Sequence, residues 1–383
     1  MQPQELVTIE EVTGAQDTKF WSSWNAFVRR FGTNPLYLGG YVEFSMRYPA
    51  RGWTPTLVVM KAGEKIVGAV GLKTSGVFGA RVATNLYPVV HGTDFVVDPE
   101  YEKHFVRRVL GFLLDDLRCQ FLDLTLPSES LILPLLKETC LSMRLKMVSA
   151  PLKDYQVEHT VLQVEGTWDE FERMRGGNFI RHFRKIEHKL GNAGKWRVER
   201  LYLDGPNSVS RVAEVEKNSW KEQSRKERGN TKGDPNLPQL FGYWESKAQD
   251  GDMPRLWLLV LNDMPIAYAI GAQLNGVAFL CKTSYDHRYA NFYPGDYVQN
   301  AAIRDQFDSK VISTVDFLTP LSYHRRWTDH RQLRERVVIS RTIPVLTDIV
   351  NSLSASAKVR QVYRTVVGRT HSTPIRKEVA STP

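Results

Sequence analysis

Cysteine is scarce in this sequence: Cys119, Cys140 and Cys281 are the only three among 383 residues. They are odd in number and widely spaced, which excludes a disulfide framework and offers no paired spacing for zinc. We therefore expect no metal centre and a reducing, cytoplasmic setting. Long apolar runs are also missing, since none approaches the ~20 residues of a spanning helix. Met1 to Glu11 is polar and acidic, without the basic and then apolar order of a secretory leader. A membrane span and a disulfide-stapled secreted fold are both set aside by these absences.

What is present is ordinary globular material, 42% hydrophobic and 24% charged, in a chain long enough for two cores. The net charge is +9 and is unevenly placed. From Ser352 onward, Lys358, Arg360, Arg364, Arg369, Arg376 and Lys377 stand against Glu378 alone. The body is thus only mildly basic, as suits an enzyme that handles an anionic co-substrate.

Two stretches read alike. Leu57–Lys61, a turn at Ala62-Gly63-Glu64 and Ile66–Gly71 form one expected hairpin. Leu256–Leu261, a turn at Asn262-Asp263 and Ile266–Gly271 form the other. A third strand follows each, near Arg81–Tyr87 and at Val277–Tyr285, the latter entered through Asn275-Gly276, a strong hairpin signal. A helix comes next. Asp98 caps the first and Pro99 takes its first turn, where a missing N–H costs nothing. Pro294-Gly295-Asp296 opens the second, through about Phe307. Each helix leads to an Asp-containing strand ending in Pro, Phe121–Pro127 and Thr314–Pro320.

The order strand–strand–strand–helix–strand therefore occurs twice. The expected fold class is α/β, a mixed and mainly antiparallel sheet flanked by helices, in two tandem halves. We place the halves at 1–155 and 156–345, with a basic helical or disordered tail at 346–383. Ser224 to Pro238 has no apolar period and reads as a long loop of the kind that serves as a lid.

The C-terminal half resembles the GNAT acetyltransferase superfamily, in the subgroup of bacterial polysaccharide-associated proteins related to the peptidoglycan Fem transferases. The resemblance spans Phe171 to Trp327. It rests on the basic helix Asn178–Glu187, on Glu216-Lys217-Asn218-Ser219-Trp220-Lys221, and on the hairpin with Ile266-Ala267. It continues through Thr283-Ser284-Tyr285-Asp286, Tyr289-Ala290, Tyr293-Pro294-Gly295 and Val315-Asp316-Phe317-Leu318, and closes at Tyr323 and Trp327. The N-terminal half matches as a degenerate copy. Before its helix, Tyr87-Pro88-Val89-Val90-His91-Gly92 places no Gly at the helix start. The subgroup often has Gly where Thr319 stands, and Tyr-Lys where Tyr323-His324 stand. In that Lys position His324 would meet a phosphate only when protonated, and Arg325 or Arg326 would be its substitutes.

The resemblance implies an acyl-CoA-dependent N-acyltransferase, with acetyl-CoA or another acyl-CoA as co-substrate. Its acceptor would be a small-molecule amine on a sugar, amino acid or peptide-like metabolite, attacking directly. Two alternatives stay open: a Fem-like transferase that uses aminoacyl-tRNA, and a non-catalytic binding module. Such chemistry needs a pyrophosphate cradle, a base for the amine, and a proton for the leaving thiolate.

Gly295 opens a helix just after a strand, where backbone N–H groups favour phosphate oxygens. We assign cofactor binding to Tyr293, Pro294 and Gly295, with Arg288 offsetting the charge of Asp296. The candidate bases are Asp286, His287 and Glu216. Asp316, inside an apolar strand, is either a hydrogen-bond acceptor or a site residue. By resemblance, Tyr323 protonates the thiolate. Glu216, Trp220, Tyr285 and Trp327 are expected around the acceptor. Phe179, Phe183, Ile186 and Leu190 form one apolar helix face, leaving Arg181 and its basic neighbours free to capture an anion. Cys281 reads as a buried, inert thiol.

Overall fold

The computed structural model describes residues 7–13, 18–47, 49, 52–77, 80–86, 94–150, 152, 157–203, 206–219, 222 and 254–341. Trp220, most of the 224–238 loop's surroundings, that loop itself and the 346–383 tail lie outside these residues.

The first half runs β1 (Val7–Val12), α1 (Thr18–Phe31), α2 (Gly39–Arg47), β2 (Thr54–Ala62), β3 (Lys65–Val77), β4 (Ala80–Asn85) and β5 (Val96–Val97). It continues with α3 (Glu102–Gly111), β6 (Phe121–Pro127), α4 (Ile132–Ser142) and β7 (Lys146–Ala150). Then come β8 (Glu158–Gln163), α5 (Trp168–Arg175), α6 (Gly177–Ala193), β9 (Trp196–Tyr202) and α7 (Pro206–Lys217). The chain closes with β10 (Arg255–Leu261), β11 (Met264–Leu274), β12 (Val277–Tyr285), α8 (Pro294–Ser309), β13 (Thr314–Asp316) and β14 (Arg331–Ser340).

Among the described residues, all fourteen strands join one sheet, in the order β1-β2-β3-β4-β6-β14-β8-β13-β12-β11-β10-β9, with β5 on β3 and β7 on β14. Read from its two ends inward, the order is the same twice. In each half three antiparallel pairings are followed by one parallel pairing, β4 with β6 and β12 with β13, across a helix. The duplication reaches local detail. Both first hairpins close on two residues, Gly63-Glu64 between Ala62 and Lys65, and Asn262-Asp263 between Leu261 and Met264. Both carry a bulge just past the turn, at Val67 and at Ile266. Asn262, Asp263, Asn275 and Gly276 all have positive φ, the backbone that two-residue hairpin turns demand.

The halves are not separable along the chain. β14 follows the second half's last strand, yet it pairs with β6 and β7 of the first half. At its start it also pairs with β8, whose far end pairs with β13. A boundary at residue 155 thus assigns β14 to one half while its hydrogen bonds lie mostly in the other. β14, from the second half, thus covers the open β6 edge of the first.

The core follows the same logic. Trp24, Phe27 and Val42 of α1 and α2 share one apolar cluster with Leu258, Tyr268 and Ile270 of β10 and β11. Asn275, in the β11–β12 turn, donates to the carbonyls of Arg29 and Gly32 at 2.8 and 2.7 Å, capping α1 from the other half. On the opposite sheet face, Phe179, Phe183, Ile186 and Leu190 of α6 pack with Trp257, Leu259 and Val298. Each such side chain contributes ~1.5–3 kcal/mol on burial. No helix among the described residues is long and apolar enough to cross a membrane.

Candidate functional site

The parallel pair β12–β13 is short. It holds at Val277–Thr314, Ala278–Val315 and Phe279–Asp316 and then stops. β12 runs on to Tyr285, while the chain after β13 turns away. From Leu280 onward the β13-facing edge of β12 has no strand partner among the described residues. A bulge at Cys281 falls just where the pair parts, since Gly271 pairs with Leu280 and Ile270 with Lys282.

The turn that ends β13 is held by buried charges. Leu318 has φ +63°, a left-handed conformation that a branched side chain adopts only under constraint. Asp316 Oδ1 accepts from the Leu318 backbone N–H at 2.6 Å, and Arg334 of β14 donates to the Leu318 carbonyl at 3.1 Å. His159 of β8 adds Nδ1 at 2.8 Å from Asp316. Burial lowers the Arg334 guanidinium to about 10, and the Asp316 charge opposes that shift. Asp316, left open between two roles by the sequence, acts here as a hydrogen-bond acceptor at the seam between the halves.

The parting strands open a cleft of about 650 Å³. β12 contributes Leu280 to Thr283 and Tyr285, and the chain after β13 contributes Phe317 to Thr319, Leu321, Tyr323 and His324. The start of α8 closes the third side with Tyr293, Gly295, Asp296 and Gln299. Ala269 and Thr283 lie on the α6 face of the sheet, whereas Ile270 and Lys282 lie on the α7 face. The cleft is therefore lined from both faces of the sheet.

The start of α8 suits an anion. Tyr293 precedes it with φ +53°, Pro294 takes the first turn, and the Tyr293 side chain makes no capping bond to its N–H groups. A Cβ at Gly295 would come within 3.0 Å of the Tyr285 ring, so glycine is needed for that approach. The charge of Asp296 is offset by Arg326, whose Nη1 donates to both Asp296 Oδ2 and His182 Nε2. Burial and the nearby Arg326 charge lower the His182 pKa. Lys189 of α6 stands 5.1 Å from the centre of the Tyr293 ring and donates to the Asn291 carbonyl at 2.7 Å. The first half differs at the matching point: Asp98 caps its own helix start, as the sequence predicts, and Glu100 and Glu102 follow. There the Asn85 side chain also bridges to the Thr125 N–H at 2.7 Å, across the gap between β4 and β6.

Of the residues singled out in the sequence, Tyr285, Tyr293, Gly295 and Tyr323 line the cleft. Pro294 is buried beside it. Glu216 reaches it through Lys282, whose Nζ is 3.4 Å from Glu216 Oε1, the same oxygen that accepts from the Tyr268 hydroxyl. Other candidates lie apart. Asp286 is 2% exposed and is gripped by Arg288, through Nε at 3.0 Å and Nη2 at 2.5 Å, while capping the Arg288 N–H. Arg288 is thereby committed to Asp286, and the counter-charge to Asp296 comes from Arg326 instead. His287 is exposed, with Nδ1 2.7 Å from the Asn218 carbonyl. Trp327 is core: its ring stacks behind Phe317 and its Nε1 donates to Asn300 at 2.9 Å. Arg181 is exposed on α6 and bonds within its own helix, to Gly177 and Asn178. Trp220 is outside the described residues.

His324 departs furthest from its expected role. It is 2% exposed, stacked on Phe317 with ring centres 4.5 Å apart, and burial lowers its pKa to about 4. It therefore carries no charge for a phosphate near neutral pH, and Arg326 is the cation beside the helix start. Sequence reasoning also missed Gln299, almost fully buried yet facing the cleft, and the pairing of Lys189 with the loop before α8. The only signal for Gln299 was its place one turn after Gly295.

Residues 177–326 match the family described as the Acetyltransferase (GNAT) domain. No curated protein sequence matches the chain. The fold is shared across nearly the whole length with the crystal structure of FemX, at 12% identity and TM-score 0.56, covering 85% of this chain and 96% of that one. A conserved protein of unknown function from Bacteroides thetaiotaomicron is similar at 10% identity and TM-score 0.55, covering 88% of this chain and 100% of that one.

Proposed function

We propose that this chain, a GNAT superfamily member with the whole-chain fold seen in FemX, is an acyl-CoA-dependent N-acyltransferase whose working site is the cleft between β12 and β13. One observation carries the reading: a parallel strand pair that parts at a bulge, with an uncapped helix start beside the opening. The edge of β12 beyond Phe279, which no described strand pairs with, offers backbone groups to the amides of a pantetheine arm. The α8 N–H groups, with Lys189 and Arg326 nearby, suit a pyrophosphate. Gly295 leaves room that a Cβ would fill. The Cys281 thiol, pushed up to about 12 by burial, is no nucleophile at neutral pH, which favours direct attack by the amine. Tyr323, its pKa raised by burial and by the Asp296 charge, keeps the proton that a leaving thiolate needs. The acceptor amine enters from the α7 face, where Glu216 and Lys282 stand. We assign the 1–155 half to scaffolding, since its matching gap is bridged by Asn85.

The test is incubation of the full chain with a panel of acyl-CoAs and primary amines, read by mass spectrometry, with melting curves in parallel. Acylated product, and a melting temperature raised by acyl-CoA, are expected. The absence of both would end the reading. The exposed basic face of α6, with Arg181, Arg184, Lys185 and His188, favours aminoacyl-tRNA as the second candidate donor. A salt-sensitive gel shift with charged tRNA, and no effect of acyl-CoA, would favour that donor.

A further inference from the structure

The ionisable groups around the cleft are mostly committed. Lys282 pairs with Glu216, Asp296 is held by Arg326, and the Cys281 thiol keeps its proton. His324 is different. Its Nδ1 lies 3.0 Å from the carbonyl oxygen of Thr319. A carbonyl only accepts, so Nδ1 carries the hydrogen and the lone pair sits on Nε2. The Phe317 stack and the Thr319 bond fix the ring in this tautomer, at the cleft wall. Tyr323 lies against it, ring centres 4.3 Å apart.

We propose that His324 is the general base of the transfer: its Nε2 takes the proton that the acceptor nitrogen sheds as that nitrogen bonds to the acyl carbon. The inference rests on the acyl-transfer reading above. As the C–N bond forms, the C–S bond breaks and its electron pair leaves on sulfur. Tyr323 gives its hydroxyl proton to that sulfur. The proton held by His324 is then lost to solvent, and solvent returns one to the Tyr323 oxygen, which restores both groups. Amine and thioester become amide and thiol with no other reactant.

Burial keeps the free ring neutral, with its pKa down at about 4. The Asp316 charge at the end of β13 acts against that shift and steadies the imidazolium once it forms. Other groups that face this corner are Tyr323 on the same turn, Asp296 of α8 with its partner Arg326, and Arg334 of β14 on the Leu318 carbonyl.

The experiment uses the full chain, acetyl-CoA, and a panel of an amino sugar, an amino acid amide and a polyamine. His324→Gln should lower kcat on the order of a hundred- to ten-thousand-fold while changing the KM for acetyl-CoA by less than about twofold. The acid limb of kcat/KM should follow the ring titration of His324 measured by NMR, and it should vanish in the variant. Imidazole should restore turnover to His324→Gly. A variant within about threefold of wild type, with its acid limb kept, would overturn the assignment. So would a mismatch between limb and ring titration in the unaltered chain, a comparison that stands even if the variants fail to fold. Calorimetry with acetyl-CoA separates the two failures. Absent binding removes the acyl-CoA reading and the base with it, whereas intact binding with unimpaired variants removes the base alone.

Discussion

The backbone nitrogen of Leu318 lies 2.6 Å from Oδ1 of Asp316, and this bond holds the turn that parts β13 from β12. Leu318 sits at φ +63°, where an unconstrained leucine would not stay. The cleft therefore depends on a carboxylate outside it, supported by His159 of β8 and Arg334 of β14.

Asp316→Ala should cost about 3–5 kcal/mol, because it leaves His159 Nδ1 and the buried Leu318 N–H without their acceptor and removes the charge that faces Arg334. Urea unfolding measures this. Loss of acyl-CoA binding should accompany it in whatever fraction stays folded. A cost near zero would mean that the turn holds itself.

Stability should fall with acid through the His324 ring. Its folded pKa is about 4, below the ordinary value of 6.5. Between those values the unfolded chain binds the proton and the folded chain does not, so the stability is present above pH 6.5 and drains away as pH falls toward 4. The full effect is about 3 kcal/mol. Unfolding of wild type and His324→Gln across this window should differ in slope, the variant being flatter.

Arg326→Ala should weaken acetyl-CoA binding roughly tenfold, since it leaves Asp296 uncompensated at the α8 start. Asp296→Asn in the same chain should recover most of that loss. Calorimetry on the four members of the cycle reads the coupling directly, and simple additivity would argue against the pairing as the cause.

Gly295→Val should raise the KM for acetyl-CoA at least tenfold by pushing the Tyr285 ring into the cleft. Melting temperature should move little, because the ring has the cleft to move into. An unchanged KM would place the donor elsewhere.

A chain cut at 152–156 should not yield two free bodies. Co-expressed pieces should purify together and unfold in one transition, because β14 of the second piece is seated between β6 and β7 of the first. Separation of the pieces on a sizing column would contradict that seating.

The repeat was legible because its signals are local. Asn275-Gly276 specifies its turn, Asp98-Pro99 its helix start, and the spacing of Phe179, Phe183, Ile186 and Leu190 its buried face. Elements that depend on distant partners were not legible. Nothing in Arg331–Ser340 says that it returns to the first half, for its alternation would suit any edge. The strand expected to continue through Pro320 ends at Asp316, because Asp316 bonds to its own neighbour two residues on. The site divided in the same way. Gly295 and Tyr323, singled out from their place in a motif, line the cleft. Asp286, an attractive base in the sequence, is taken up by Arg288 two residues later, and that pairing is a matter of side-chain direction. The neutrality of His324 follows from its burial, with the Phe317 ring stacked on it, which spacing alone does not reveal.

The seating of β14 in the first half also sets an order of events during synthesis. The first half leaves the ribosome with an empty seat between β6 and β7, and only the stretch from Arg331 to Ser340 fills it. The β6 edge must wait for more than 200 residues to emerge between Pro127 and Arg331. Until then it is an open strand edge that any neighbouring chain could pair with. The nascent chain is thus most in need of a chaperone early, while the half that we assign to scaffolding stands alone.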